Sequence, residues 1–271
     1  MLIAGTALAA TIGGTYWAMR SALVADKAEQ REQDRQDWEL PAMQGSAVAF
    51  KVLGEKGFGG DLMALPSDIE MPDWFGQLHE SKKRQNWVLD NGGAWVDGIV
   101  FRLMITNLRR SIVIESASVR FLRRSSPLNG TVIMGTVQGG SGGEMSEIPR
   151  AGANLDSQRP ALRALDTATG TLGDPFPTNQ ITLSPQAVQA IDVRIESKQP
   201  CTEFEILLEL FVDGQEQIDV PIRPSSRPFR ITGRSTSYGA GLHETGPDDK
   251  VSAGMARLEP IDPTKIVSGH G

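Results

Sequence analysis

Residues 203–222 read Glu203-Phe-Glu-Ile-Leu-Leu-Glu-Leu-Phe-Val-Asp-Gly-Gln-Glu-Gln-Ile-Asp-Val-Pro-Ile222, a strand, a turn and a second strand in unbroken succession. Phe204, Ile206, Leu208 and Leu210 fall on one side at a period of two, with Glu203, Glu205 and Glu209 on the other. That alternation suits a half-buried strand and cannot be kept by a helix of 3.6 residues per turn. Asp213-Gly214 then supplies two residue types that tolerate positive φ, so a tight hairpin is predicted there. A chain built round this hairpin must cover its apolar face with a second layer.

The same period recurs upstream. Residues 47–53, 98–107, 112–122, 131–137, 180–183, 188–195 and 228–232 are further strand candidates, and no long internal helix separates them. The expected fold is therefore mainly β, an antiparallel β-sandwich over residues 44–232 with insertions at 54–97 and 138–178. Residues 233–271 are Gly-rich and polar and read as a disordered tail.

Phe101-Arg-Leu-Met-Ile-Thr-Asn107 followed by Ile112-Val-Ile114, and Ala190-Ile-Asp-Val-Arg-Ile195 followed by the Asp213-Gly214 turn, carry a resemblance. Over about residues 95–232 the chain resembles the immunoglobulin-like or fibronectin type III-like accessory domains of bacterial single-span membrane proteins. The resemblance implies a sandwich and a binding role, and it brings no catalytic residues. It departs from antibody domains in its cysteine content: Cys201 is alone, so no Cys-Trp-Cys spacing exists.

Ahead of the β-rich region, residues 2–19 (LIAGTALAATIGGTYWAM) form an uncharged apolar run. As a helix they would span roughly 27 Å, against a hydrocarbon core of roughly 30 Å. Tyr16 and Trp17 next to Arg20 match the order of an interfacial aromatic and a flanking cation. Only Met1 precedes the run, so an uncleaved single-pass transmembrane helix is expected in preference to a signal peptide. Arg20, Lys27, Arg31 and Arg35 follow it, which favours a cytoplasmic domain at the cell membrane. Gly5, Ala9 and Gly13 recur every four residues, a spacing that would let two such helices pair as a homodimer in the lipid bilayer. Residues 20–40 contain no Gly or Pro and are rich in helix formers, so a charged helical stalk is expected up to Pro41.

Two surfaces stand out as candidate interaction sites. In Met71-Pro-Asp-Trp-Phe-Gly-Gln-Leu78, Asp73 is placed to cap a short helix with Trp74, Phe75 and Leu78 on one face, either covering a sheet edge or meeting a partner. Arg109 and Arg110, with Arg120, Arg123 and Arg124, would form a basic cluster round one hairpin, suited to anionic lipid, to an acidic protein or to the domain's own carboxylates.

Chemistry-bearing patterns are scarce. Gly139-Gly-Ser-Gly-Gly143 and Gly54-Glu-Lys-Gly-Phe-Gly-Gly60 lack the Gly-Lys-Ser/Thr ending of a phosphate loop and read as linkers. His79, His243, His270 and Cys201 stand at no metal-ligand spacing, so no metal and no cofactor is expected. A formal net charge of −6 and a pI of about 5.2 give no overall basic footprint for nucleic acid. The expectation is a membrane-anchored, non-enzymatic β-sandwich that binds a protein partner or has a structural role. The alternative is an enzyme or a receptor for carbohydrate or another small ligand, with its site built from loops at one end of the sandwich.

Overall fold

The computed structural model describes residues 46–58, 61–77, 81–135, 148–158, 160–224, 227–245 and 257–268. The proposed span at 2–19, its Gly5, Ala9 and Gly13 stripe, the stalk at 20–40 and Leu78 lie outside the described residues. Among the described residues no helix is long and apolar enough to cross a membrane.

Two sheets form the layers. The first has the order β1-β4-β11-β7-β8-β9, with β1 Val48–Gly57, β4 Gly98–Asn107, β11 Val188–Glu196, β7 Arg150–Asn154, β8 Arg163–Leu165 and β9 Leu172–Pro175. The second runs β10-β5-β12-β14-β3-β2-β6-β15-β16, and β13 (Glu216–Ile222) also pairs with β12. Its members are β10 Ile181–Leu183, β5 Ile112–Ser125, β12 Cys201–Val212, β14 Phe229–Thr232, β3 Ala94–Val96, β2 Leu62–Ala64, β6 Thr131–Met134, β15 Ala240–Thr245 and β16 Arg257–Ile261. A 3-10 turn at Phe75–Gln77, helix α1 at Ser81–Asp90 and helix α2 at Pro263–Ser268 complete the described elements.

The core lies between the inward faces. Ile99, Phe101, Leu103 and Ile105 of β4 and Ile191, Val193 and Ile195 of β11 are buried from one side. Phe204, Ile206, Leu208 and Leu210 of β12 are buried from the other, as their alternation predicted. Phe101 stacks on Phe229 at 4.7 Å between ring centroids, and Phe229 on Phe204 at 5.4 Å, so aromatic rings bridge the two layers. The hairpin forms at the predicted place: Asp213 and Gly214 take φ of 51° and 71°, and Val212 pairs with Glu216.

Strand β5 shows how one strand reconciles two apolar phases. Ile112 and Ile114 face the core, then Ala117 and Val119 do, and the pairing with β12 shifts between Glu209 and Leu210. Glu115 is the extra residue on β5. A β-bulge of this kind moves every later side chain to the opposite face.

Three expectations need correction. The sheets are mixed instead of antiparallel: β7 with β11, β3 with β14 and β6 with β15 run parallel. Each of these pairs is separated by a long crossing connection, which a parallel neighbour requires and a hairpin does not. The insertion at 138–178 is not all loop, since β7, β8 and β9 extend the first sheet, and β7 buries the small residues Ala151 and Ala153, which carry no visible hydrophobic period. Finally, residues 233–271 are not a disordered tail throughout. β15 adds to β6, β16 pairs with β15, and Ile266 of α2 is buried with Leu62, Val96 and Val132.

Candidate functional site

At the open side of the sandwich, β1 ends the first sheet and β13 pairs with β12 alone among the described residues, so each strand presents one edge free of described strands. Between them lies a cleft of about 630 Å³ lined by Val48, Phe50, Arg109, Glu216, Ile218 and Val220 among others. The apolar lining follows from register. Phe50 and Val52 lie opposite Ile105 and Leu103 of β4, both buried, so these β1 side chains point inward while Lys51 points out. Ile218 and Val220 lie opposite the buried Leu210 and Leu208 and face the same cleft. Both are only partly buried, and no further described strand covers them. Pro221 on the free strand lacks an N–H, a common device for limiting indiscriminate edge pairing.

A second constellation occupies the solvent face of β5, β12 and β13. Glu205 of β12 is fully buried, although on the outward side, because Arg120 of β5 and Arg223 just beyond β13 both close over it. The carboxylate is 0% exposed, whereas the two arginine side chains remain 51% and 44% exposed. One row along, Glu203 lies in register with Arg123 of β5 and Arg230 of β14, and Arg230 bonds it at 2.9 Å. Two rows in the other direction the sign reverses. Glu209 stands opposite Asp219, with Ser116 donating a 2.6 Å hydrogen bond to Glu209 Oε2.

A third constellation is interior. Arg84 of α1 and Glu244 of β15 form an ion pair with side-chain exposures of 5% and 9%. Asp61 is close by, its Oδ1 accepting the Gly57 N–H at 3.0 Å. Burial pushes the Asp61 carboxyl above its ordinary value of 3.8, and Glu244 adds to the shift, against the Gly57 hydrogen bond and Lys56, which lower it. The folded chain thus holds this proton more tightly than the unfolded chain, and ionisation of Asp61 subtracts stability as pH rises through its folded pKa. Asp61→Asn, which keeps an acceptor for Gly57, is expected to raise the urea midpoint at neutral pH, with the gain disappearing below about pH 3.8. An unchanged or lower midpoint at neutral pH would contradict burial as the dominant influence on Asp61.

The residues singled out from the sequence are dispersed. Trp74 is 39% exposed and Phe75 only 2%, in a 3-10 turn instead of the predicted helix, which starts at Ser81. Phe75 packs at 4.9 Å from Trp87, and Trp74 meets Trp87 edge-on at 6.1 Å, so this aromatic group joins the turn to α1. The basic cluster divides. Arg109 and Arg110 precede β5, while Arg123 and Arg124 lie at its far end, roughly 40 Å away at about 3.3 Å per residue. Arg124 donates a 2.5 Å hydrogen bond to the Leu155 carbonyl and stacks over Phe121. In place of the predicted grouping, Arg120 and Arg123 are joined by Arg223 and Arg230, remote in sequence. The hint for those two lay in Glu203 and Glu205, outward carboxylates on a strand that must have neighbours on both sides.

Cys201 opens β12 as a buried thiol, and burial pushes its pKa up, away from the reactive thiolate. Among the described residues, no three His, Cys, Asp or Glu side chains converge to hold a metal ion. The chain matches no protein-family pattern, no characterised protein and no solved structure.

Proposed function

We propose that this chain is a membrane-tethered, immunoglobulin-like binding module, held at the bilayer by residues 2–19 with its β domain on the cytoplasmic side, and that it engages a protein partner in the cleft between β1 and β13. The observation that carries the reading is the pairing of two free strand edges with a partly exposed apolar lining at Phe50, Ile218 and Val220. The occupant that fits is an extended segment of the partner. Such a segment hydrogen-bonds to a free edge through its main chain and places alternate apolar side chains in the cleft. Asp213 and Glu216 outnumber Arg109 in the lining, which favours basic residues between those apolar positions. The uncharged run at 2–19 and its Tyr16, Trp17 and Arg20 flank support the tether.

Ile218→Asp places a charge in the cleft without touching the fully buried core. Chain purified from gently solubilised membranes is expected to retain a defined partner as wild type and as Trp74→Ala, and to lose at least about tenfold of it as Ile218→Asp, since an interface centre tolerates a buried charge poorly. Equal recovery with Ile218→Asp would rule out the cleft as the binding site.

A further inference from the structure

The outward face of β5, β12 and β13 carries unbalanced charge of both signs, and we propose that it is a self-complementary interface that docks on a second copy of this chain. At one end, four arginines (Arg120, Arg123, Arg223 and Arg230) surround two carboxylates (Glu203 and Glu205). At the other end, Glu209 and Asp219 lie directly opposite each other on paired strands, an arrangement that is repulsive. Between the two ends runs the row Ser118, Leu207 and Pro221, which carries no charge.

Consider a two-fold axis lying along that middle row, parallel to the sheet and perpendicular to its strands. It brings two copies face to face with their strand directions reversed. Each strand then lies over its own counterpart, Leu207 meets Leu207, and the row one step above the axis meets the row one step below. Arg223 of one copy falls over Asp219 of the other, Arg120 falls over Ser116, and Glu205 falls over Glu209 with the Arg120 and Arg223 guanidinium groups that cover it lying between the two carboxylates. The symmetry repeats both contacts, as an isologous interface requires. The excess cations of one end thus neutralise the repelling carboxylates of the other, twice. This holds although the chain as a whole is acidic, at a formal −6.

Three strands spaced about 4.8 Å apart and roughly nine residues long offer a patch of the order of 400 Å² per copy. Stable complexes bury about 800 Å² per partner, so the dimer is a weak one, sensitive to salt and helped by confinement to a membrane.

The test uses the purified full-length chain and sedimentation velocity over a range of concentration and salt. Wild type is expected to dimerise at low salt and to dissociate at high salt. Arg223→Glu and Asp219→Lys, each folded by circular dichroism, are expected to be at least tenfold weaker in self-association, because each places like charges across the axis. An equimolar mixture of the two variants is expected to recover the dimer, since both contacts then pair opposite charges. A wild type that stays monomeric, single variants that dimerise as wild type does, or a mixture that fails to associate would each overturn the proposal. A dimer indifferent to salt and to both substitutions would also overturn it and would place self-association elsewhere, as at Gly5, Ala9 and Gly13.

Discussion

Arg84→Met is expected to lower the unfolding free energy by about 3–5 kcal/mol, the usual penalty for removing one partner of a buried ion pair. Both side chains of the Arg84–Glu244 pair are nearly inaccessible, so water cannot replace the lost guanidinium. The carboxylate left behind would also lie near Asp61, which already resists ionisation because it is buried. Much of the loss therefore reflects a stranded charge, and a second substitution separates the two contributions. Arg84→Met combined with Glu244→Met removes both charges at similar volume and should recover most of the lost stability. Urea denaturation of the full chain, followed by tryptophan fluorescence, reads both variants. A loss below about 1 kcal/mol for Arg84→Met would show that β15 is not clasped to α1 through this pair.

Phe229→Ala is expected to cost a comparable 3–5 kcal/mol, through a different mechanism. Phe229 is fully buried on β14 and stacks on Phe101 from the facing sheet and on Phe204 from its own. Truncation removes the ring that joins the two layers and leaves a cavity between rigid strands, where the surroundings can relax only partly. Phe229→Leu refills most of that volume and should restore the greater part of the stability. The unfolding midpoints of the two variants, compared with wild type, test this. Equal midpoints for Ala and Leu would mean that the interior collapses freely round position 229 and that the stack contributes little.

Local pattern and long-range arrangement differed sharply in how far they could be read from the chain. The alternation of Phe204, Ile206, Leu208 and Leu210 and the turn at Asp213-Gly214 were legible because a strand and its hairpin partner are written within one stretch of sequence. Strand order was not legible. β14 reaches β3, and β15 reaches β6, across about a hundred residues or more, and parallel pairing of this kind leaves no local mark. Composition misled at both ends of this problem. β7 is built on Ala151, Gly152 and Ala153, which are too small to register as an apolar stripe, yet they bury well against β11. β15 and β16 contain Gly241, His243, Glu259 and Pro260, residues of ordinary tail composition that become ordered only through pairing with β6 and with each other.

The candidate sites follow the same division. Ile218 and Val220 were visible as apolar positions, but their place beside a free edge depends on which strands stay unpaired. Arg123 and Arg124 were grouped with Arg109 and Arg110 because they flank one strand candidate, and the length of that strand is what separates them. Arg84 and Glu244 carried no signal of their own. A buried ion pair between elements 160 residues apart is invisible until the fold brings them together.

The cleft between β1 and β13 is the centre of this account, and a photo-crosslinking scan tests it most directly. A photoreactive amino acid placed singly at Phe50, Lys51, Ile218, Asp219 and Val220 samples both faces of the two edge strands in intact membranes. Adducts are expected from Phe50, Ile218 and Val220 to one contiguous segment of a single partner, with Lys51 silent and Asp219 giving no adduct other than to a second copy of the chain, since only the first three face the cleft. Adducts to that partner from all five positions alike, or from Lys51 and Asp219 alone, would contradict the cleft as the binding site.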